Sequence, residues 1–250
     1  PPPPPPPLFF SSRRRHTRSA SVSWASEMCI RDSIKSVYET ATDRDRIEML
    51  MYVDSDDERK DAYMDYLLFS QKEFADFLRV HIVFGEPKSV SKSWNDLYER
   101  SLGDIIIMGN DDLLYRTRGW DRIVEKESDI FKDEIYCMWM NDKINGERHC
   151  AFPIVSKKWC DTLGYFTPGV YNFGYNDTWI FEVAQLVGRT HWLQHVHGEH
   201  MHFSVGKSPQ DKTYLENRQA KFQNDKAIHE RTRQQRVVDA AKLREVMYES

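Results

Sequence analysis

The sequence predicts an α/β protein, a three-layer α/β/α arrangement around a mainly parallel central sheet, and three observations carry that reading. Ile105-Ile106-Ile107-Met108 is a continuous apolar run, as expected of a strand buried on both faces. It stops at Gly109-Asn110-Asp111-Asp112, so a hydrophobic strand delivers paired acids where the chain leaves the sheet. A second apolar run, Ile47 to Val53, also ends in acids (Asp54-Ser55-Asp56-Asp57), and helix-like and strand-like segments alternate between the two.

Residues 1–33 are set aside before the elements are placed. Pro1 to Pro7 is low complexity, and an Arg/Ser-rich run follows it. Met28-Cys29-Ile30-Arg31-Asp32-Ser33 is what the sequencing-adapter end ATG TGT ATA AGA GAC AG encodes. The segment therefore reads as an artefactual, disordered leader on a metagenomic-type fragment, to be excluded like any fusion scar. Ile34 to Thr40 then reads as the second half of an amphipathic helix, and the strand that should precede it is expected to be missing. An unfilled strand position exposes backbone groups and apolar faces, so the chain as written is expected to be unstable or inactive.

The remaining elements follow in order. Ile47 to Val53 is a strand, Asp61 to Phe77 a helix, and Val80 to Phe84 a strand closed by Gly85 and Pro87. Ser89 to Ser101 puts Val90, Trp94, Leu97 and Tyr98 on one helical face. After the acidic pair, Gly119-Trp120 marks a turn and Asp121 to Lys126 begins a helix. Ile135 to Met140 and Phe152 to Val155 read as strands. Leu163 to Asn176 holds four glycine or proline residues and five aromatics, a long shaped loop whose rings either pack or stack on a sugar. Asp177 to Val187 is a helix with Asp177 placed to cap it, and Thr190 to Val196 is a strand. From Tyr214 the chain is charged and helical, with Val237, Val238, Ala241, Leu243 and Val246 as a thin apolar stripe.

Composition narrows the function. The net charge is −4, and because the first 33 residues carry five arginines against two acids, the rest stands near −7. A phosphate-gripping nucleic-acid binder would be basic, so that class is disfavoured. Cys137, Cys150 and Cys160 lack CxxC spacing and are odd in number, which points to a reducing, cytoplasmic compartment. No apolar run approaches the roughly twenty residues that span a bilayer.

Three clusters can carry chemistry. Asn110-Asp111-Asp112 suits a hard divalent cation held by carboxylates and substrate phosphates, or is a plain acidic turn. Asp177 opens a helix after the aromatic loop. His195, His197, His200 and His202 surround Gly198 and Glu199, and either form a zinc site themselves, share one with Asp112, or are ordinary surface and core histidines.

The order of these pieces resembles a known family. From Ile34 to about Phe203 the chain is similar to GT-A fold glycosyltransferases of the inverting, family-2-like kind with a DxD-type motif. The similarity runs through Ser36-Val37-Tyr38-Glu39-Thr40, Tyr52-Val53-Asp54-Ser55-Asp56-Asp57, Ser93-Trp94-Asn95, Gly109-Asn110-Asp111-Asp112, Gly119-Trp120, Leu163-Gly164-Tyr165-Phe166 and Asn176-Asp177-Thr178 to His200 and His202. The resemblance implies a metal-dependent transferase that moves a sugar from a nucleotide-sugar donor to a glycan or other acceptor hydroxyl. Residues 34–206 would be the catalytic domain and 207–250 a charged helical extension. Asp54 and Asp56 would contact the nucleotide, as would Asn110 and Asp111 near the ribose, with Lys92 on phosphate. Asp112, His200 and His202 would hold Mn2+ or Mg2+, and Asp177 would be the general base. Asn110 replaces the first carboxylate of the motif, which keeps open a non-catalytic nucleotide- or carbohydrate-binding module. A nucleotidyltransferase on a related frame also remains open.

Overall fold

The structure is a computed structural model. It describes residues 7–11, 24–57, 60–61, 72–77, 79–110, 112–202, 205–207 and 212–247, with the backbone alone for 7–11, 24–30 and 212–220. In chain order the strands are β1 (Pro7–Ser11), β2 (Glu48–Asp54), β3 (Arg79–Gly85), β4 (Ile105–Gly109), β5 (Leu113–Tyr115), β6 (Cys137–Asn141), β7 (Ile154–Ser156) and β8 (Thr190–His200). The helices are α1 (Trp24–Thr40), α2 (Val90–Glu99), α3 (Trp120–Ser128), α4 (Lys157–Leu163), α5 (Asn176–Val187), α6 (Lys212–Arg231) and α7 (Arg233–Met247). The strands form one sheet in the order β3-β2-β1-β4-β7-β6-β8-β5.

β2 and β4 form because every second residue has a core to enter on each side. Met49, Met51 and Val53 with Ile105 and Ile107 join α1 and Trp120 on one face. Leu50 and Tyr52 with Ile106 and Met108 join Trp94, Leu97 and Trp179 on the other. Strands sandwiched this way carry no polar alternation, which is why both runs read as continuous apolar segments. Trp120 and Trp179 are core residues, 0 % and 1 % exposed. Ser89 caps α2 by accepting from the Lys92 amide.

Four expectations are corrected. First, the sheet is mixed and not mainly parallel: β7 runs antiparallel to both β4 and β6, and β5 antiparallel to β8. The physical reason is the connection, since β6 returns as β7 through residues 142–153, which hold one 3-10 turn (Gly146–Arg148) but no α-helix to carry the chain across the sheet. Second, the first-strand position is filled. Pro7–Ser11 lies parallel between β2 and β4, pairing Pro7 with Glu48 and Phe10 with both Met51 and Gly109. Two open strand edges face that slot, Leu8-Phe9-Phe10 is apolar, and Pro7 sits at a strand's first residue, where its missing N–H is tolerated. The leader thus carries β1 and the first half of α1, and Ser33 Oγ donates to the Leu113 carbonyl at 2.7 Å.

Third, Asp177 does not cap α5; Tyr175 precedes the helix in the left-handed region, at φ 64°. Fourth, the buried face of α7 is Arg236, Asp239, Ala240 and Leu243, while Val237 and Val238 are 41 % and 40 % exposed. Of the expected stripe Leu243 is buried and Val246 packs against the core, while polar partners fix the rest of the buried face. Asp239 accepts from Trp179 Nε1 at 3.2 Å and pairs with the Tyr165 hydroxyl, and Arg236 Nε meets Glu182 at 2.6 Å. Of the helix expected over residues 61–77, residues 62–71 lie outside the described residues. Phe74 and Phe77 pack on Tyr38, with ring centroids 4.9 and 5.3 Å away.

Candidate active site

Strand direction gathers the acids. β2, β1 and β4 run parallel, with Met51 and Gly109 level across Phe10, so Asp54 and the chain after β4 emerge at one sheet edge. Asp54 is the last residue of β2 and only 2 % exposed, whereas Asp56 is exposed in the turn that follows. Asn110 closes a turn by accepting from the Leu113 amide at 3.3 Å. Asp111 lies outside the described residues. Asp112 follows, its carbonyl accepting from the Met201 amide at 2.7 Å, which ties the turn to the end of β8.

β8 reaches that turn through a change of parity. β6 and β8 pair in register from Cys137 with Thr190 to Met140 with Leu193, but Asn141 then pairs with His197. The irregularity shifts the inward-facing positions from Leu193 to Val196, Gly198 and His200. A bulge is the device that re-aims a strand without ending it. Gly198 lies where β5 pairs with β8, and a Cβ there would crowd Leu113 Cδ1 at 3.1 Å and Met140 Sδ at 3.2 Å. His200 consequently pairs with Leu113 and sets Nε2 3.1 Å from Asp112 Oδ2. Phe152 packs edge-on against its ring at 4.9 Å, and His202 lies beside it at 5.0 Å between centroids.

The residues fit part of a metal shell. Asp112 Oδ1 and His200 Nδ1 are buried and have no hydrogen-bond partner among the described residues. An orphaned carboxylate oxygen next to an imidazole is a costly arrangement that a cation would relieve. No group of three or more His, Cys, Asp or Glu side chains among the described residues is arranged to hold a metal. A cation at this edge would take Asp112 and His200 as two ligands, with His202 adjacent, and its remaining positions would fall to phosphate oxygens and water. The four-histidine zinc alternative is not formed. His195 is exposed, and Glu199 is held by Lys207 and Arg116 at 2.7 and 2.8 Å, contacts that keep its carboxyl below the usual range.

A second Asp–His pair stands at the start of α5. Asp177 Oδ1 accepts from the Thr178 amide at 2.8 Å, and Oδ2 faces His149 Nε2 at 2.9 Å. That hydrogen bond holds the His149 imidazole above its usual pKa against the burial that opposes it. His149 is positioned by a loop that Asp142 organises: Asp142 Oδ1 accepts from the amides of Ile144, Asn145 and Gly146 at 3.0, 2.7 and 3.1 Å. The Asp142 carbonyl also accepts from the His200 amide at 3.2 Å, so one loop links the two pairs.

The aromatic loop before α5 is pinned from two sides. Asn95 of α2 accepts from the Phe166 and Thr167 amides at 3.1 and 2.9 Å. Asp225 of α6, 0 % exposed, accepts from the Asn172, Phe173 and Gly174 amides at 3.0, 2.7 and 2.9 Å. Phe166 and Tyr171 are core residues, and Tyr175 stacks on His229 at 4.8 Å.

The structure thus joins Asp112 to His200, with His202 beside them, and puts Asp54 on their edge. It leaves Lys92 exposed on the first turn of α2, with no hydrogen bond to the site's acids among the described residues. Sequence reasoning missed His149, Asp142 and Asp225. Only Asp142 left a signal, since Asp142-Lys143-Ile144-Asn145-Gly146 is Asx-turn chemistry.

No protein-family model matches the chain, and no curated protein sequence matches it. Solved structures do. The mannosyltransferase PcManGT from Pyrobaculum calidifontis, in complex with GDP-Man and Mn2+, superposes with a TM-score of 0.62 at 12 % identity, over 86 % of this chain and 60 % of that one. S. aureus TarS 1–349 gives 0.57 at 10 % identity, over 78 % and 60 %. GalNAc-T7 with UDP, GalNAc and Mn2+ gives 0.56 at 11 %, over 78 % and 43 %. The fold is GT-A-like. The chain spans about 60 % of the length of the first two of these proteins. Among the described residues no helix is long and apolar enough to cross a membrane.

Proposed function

We propose that this protein is a metal-dependent glycosyltransferase that moves a sugar from a nucleotide-sugar donor to an acceptor hydroxyl with inversion. The observation that carries the reading is the Asp112–His200 pair at the edge where β4 ends, with an orphaned carboxylate oxygen beside an imidazole. Structural neighbours solved with GDP-Man and Mn2+, with UDP-GlcNAc, and with UDP and Mn2+ support it. Asp112, His200 and His202 would hold Mn2+ or Mg2+, with Asn110 and Asp111 beside the ribose and Asp54 and Asp56 toward the nucleotide. An imidazole in the shell is better matched to Mn2+ than to the harder Mg2+. When bound, the cation supplies positive charge against the diphosphate leaving group. Asp177 serves the acceptor side, at the start of α5, as the carboxylate of the general base. Residues 34–206 together with β1 and the first half of α1 would form the catalytic domain, and 207–250 would brace it.

The test is calorimetric binding of UDP and GDP, with and without Mn2+, to the full chain. Metal-dependent binding that disappears in Asp112→Ala supports the transferase site and names the donor class. Binding without turnover in wild type would favour the non-catalytic module, the alternative that Asn110 in the first motif position supports.

A further inference from the structure

The Asp177–His149 pair carries a step beyond this, one that rests on the transferase reading. Both oxygens of Asp177 are engaged, Oδ1 by the Thr178 amide at 2.8 Å and Oδ2 by His149 Nε2 at 2.9 Å. An ionised carboxylate only accepts hydrogen bonds, so the proton of the second bond sits on Nε2 and fixes the tautomer. His149 Nδ1 is then the basic lone pair of the pair, and it makes no hydrogen bond among the described residues. The ring is held in place by Phe181, edge-on at 5.8 Å and 87°. Asp177 from α5 and Asp142 from the loop after β6 are the charged groups acting on it, both favouring the protonated ring. Neither side chain is sealed, at 30 % and 29 % exposure, so the pair faces open space at the start of α5.

We propose that the base of the transfer is the pair and not Asp177 alone: His149 Nδ1 receives the acceptor's proton, and Asp177 holds the ring. The acceptor O–H bond breaks with its proton passing to Nδ1, the acceptor oxygen forms a bond to the anomeric carbon, and the bond from that carbon to the diphosphate oxygen breaks. Its electron pair leaves with the nucleoside diphosphate. The imidazolium so formed is stabilised across the 2.9 Å contact by the Asp177 carboxylate. A base of this kind works best when its pKa lies near the working pH, and the rise imposed by Asp177 moves His149 in that direction.

Two measurements on the full chain test this. Nitrogen NMR of the imidazole is expected to show neutral His149 protonated at Nε2, with its pKa falling in Asp177→Asn. A neutral ring protonated at Nδ1 overturns the proposal whether or not turnover is seen. In transfer assays, His149→Gln is expected to lose about a hundredfold in kcat, keep the donor KM, and lose the acidic limb of the pH profile. Wild-type kcat and an unchanged acidic limb in that variant overturn the dyad and leave the transferase intact. Failure of the wild type to bind a nucleotide with Mn2+ sinks the transferase reading instead, and the NMR result still decides the pair.

Discussion

Two regions of the molecule contain the same two side chains at nearly the same separation, and they are built for different work. At the end of β4, Asp112 and His200 stand 3.1 Å apart with one carboxylate oxygen and one ring nitrogen buried and unpartnered. At the start of α5, Asp177 and His149 stand 2.9 Å apart with both carboxylate oxygens occupied. Distance does not distinguish them; the state of the spare atoms does. A carboxylate left with a dry, empty lone pair is poised for a cation, whereas a satisfied one is poised to orient its neighbour. The supports differ as well. Asp112 is carried by a sheet edge made of backbone pairing, while Asp177 follows a loop whose amides are capped by side chains of α2 and α6.

The largest effect is expected from Asp112→Ala, which should abolish Mn2+-dependent nucleotide binding and lower kcat/KM by about three orders of magnitude or more. Calorimetry and a donor-consumption assay check it, and binding unaffected by the substitution would break the division of labour between the pairs. Asp177→Asn should lower kcat by about 10²–10⁴-fold while leaving nucleotide binding within about twofold. A loss of nucleotide binding there would erase the comparison from the other side.

Asp225→Ala sharpens the contrast in supports. It leaves the amides of three half-buried residues without their acceptor, at a cost of about 3 kcal/mol and a Tm lowered by about 6–12 °C. The variant should lose acceptor turnover more than donor binding, because α6 braces the loop before α5 and, through His229 and Glu182 at 3.0 Å, α5 itself, and makes no hydrogen bond to the Asp112 turn among the described residues. The smallest effect is a pH dependence. His149 is raised by its carboxylate partner, so the pair's stabilisation is fully present below the ordinary histidine pKa and is lost as pH rises through the raised folded value. Asp177→Asn should therefore lower Tm by about 2–4 °C at pH 5.5 and hardly at all at pH 9, as read by thermal melts at the two pH values.

The edge where β2 and β4 end was legible in the sequence because its strands obey one strong rule. Both faces of β2 and β4 are buried, so their apolar runs and the acids that end them stand out without any knowledge of partners. β5 and α4 were not legible, being three and seven residues long and fixed by tertiary contacts such as Tyr115 N donating to Ser36 Oγ at 2.9 Å. The length of β8 beyond Val196 was also hidden, because the bulge that turns His200 inward breaks the period on which a strand is recognised. The region around the start of α5 hid most. His149 lies 28 positions before its partner in a stretch with no periodicity, and α7 buries Arg236 and Asp239 where a pattern reader looks for valines. Polar fasteners of this kind leave no trace until the fold brings their two ends together.

The cap that Asp225 places on the amides of Asn172, Phe173 and Gly174 has a consequence in time. As the polypeptide emerges from the ribosome, β4, the turn at Asp112 and the end of β8 are all outside well before residue 225 arrives. The nascent chain therefore completes the edge around Asp112 first and passes through a stage in which the entry to α5 still awaits its clasp. Chains displayed outside the ribosome to residue 220 by a C-terminal linker should bind UDP or GDP with Mn2+ yet show faster proteolysis between Leu163 and Asn176 than chains displayed to residue 247.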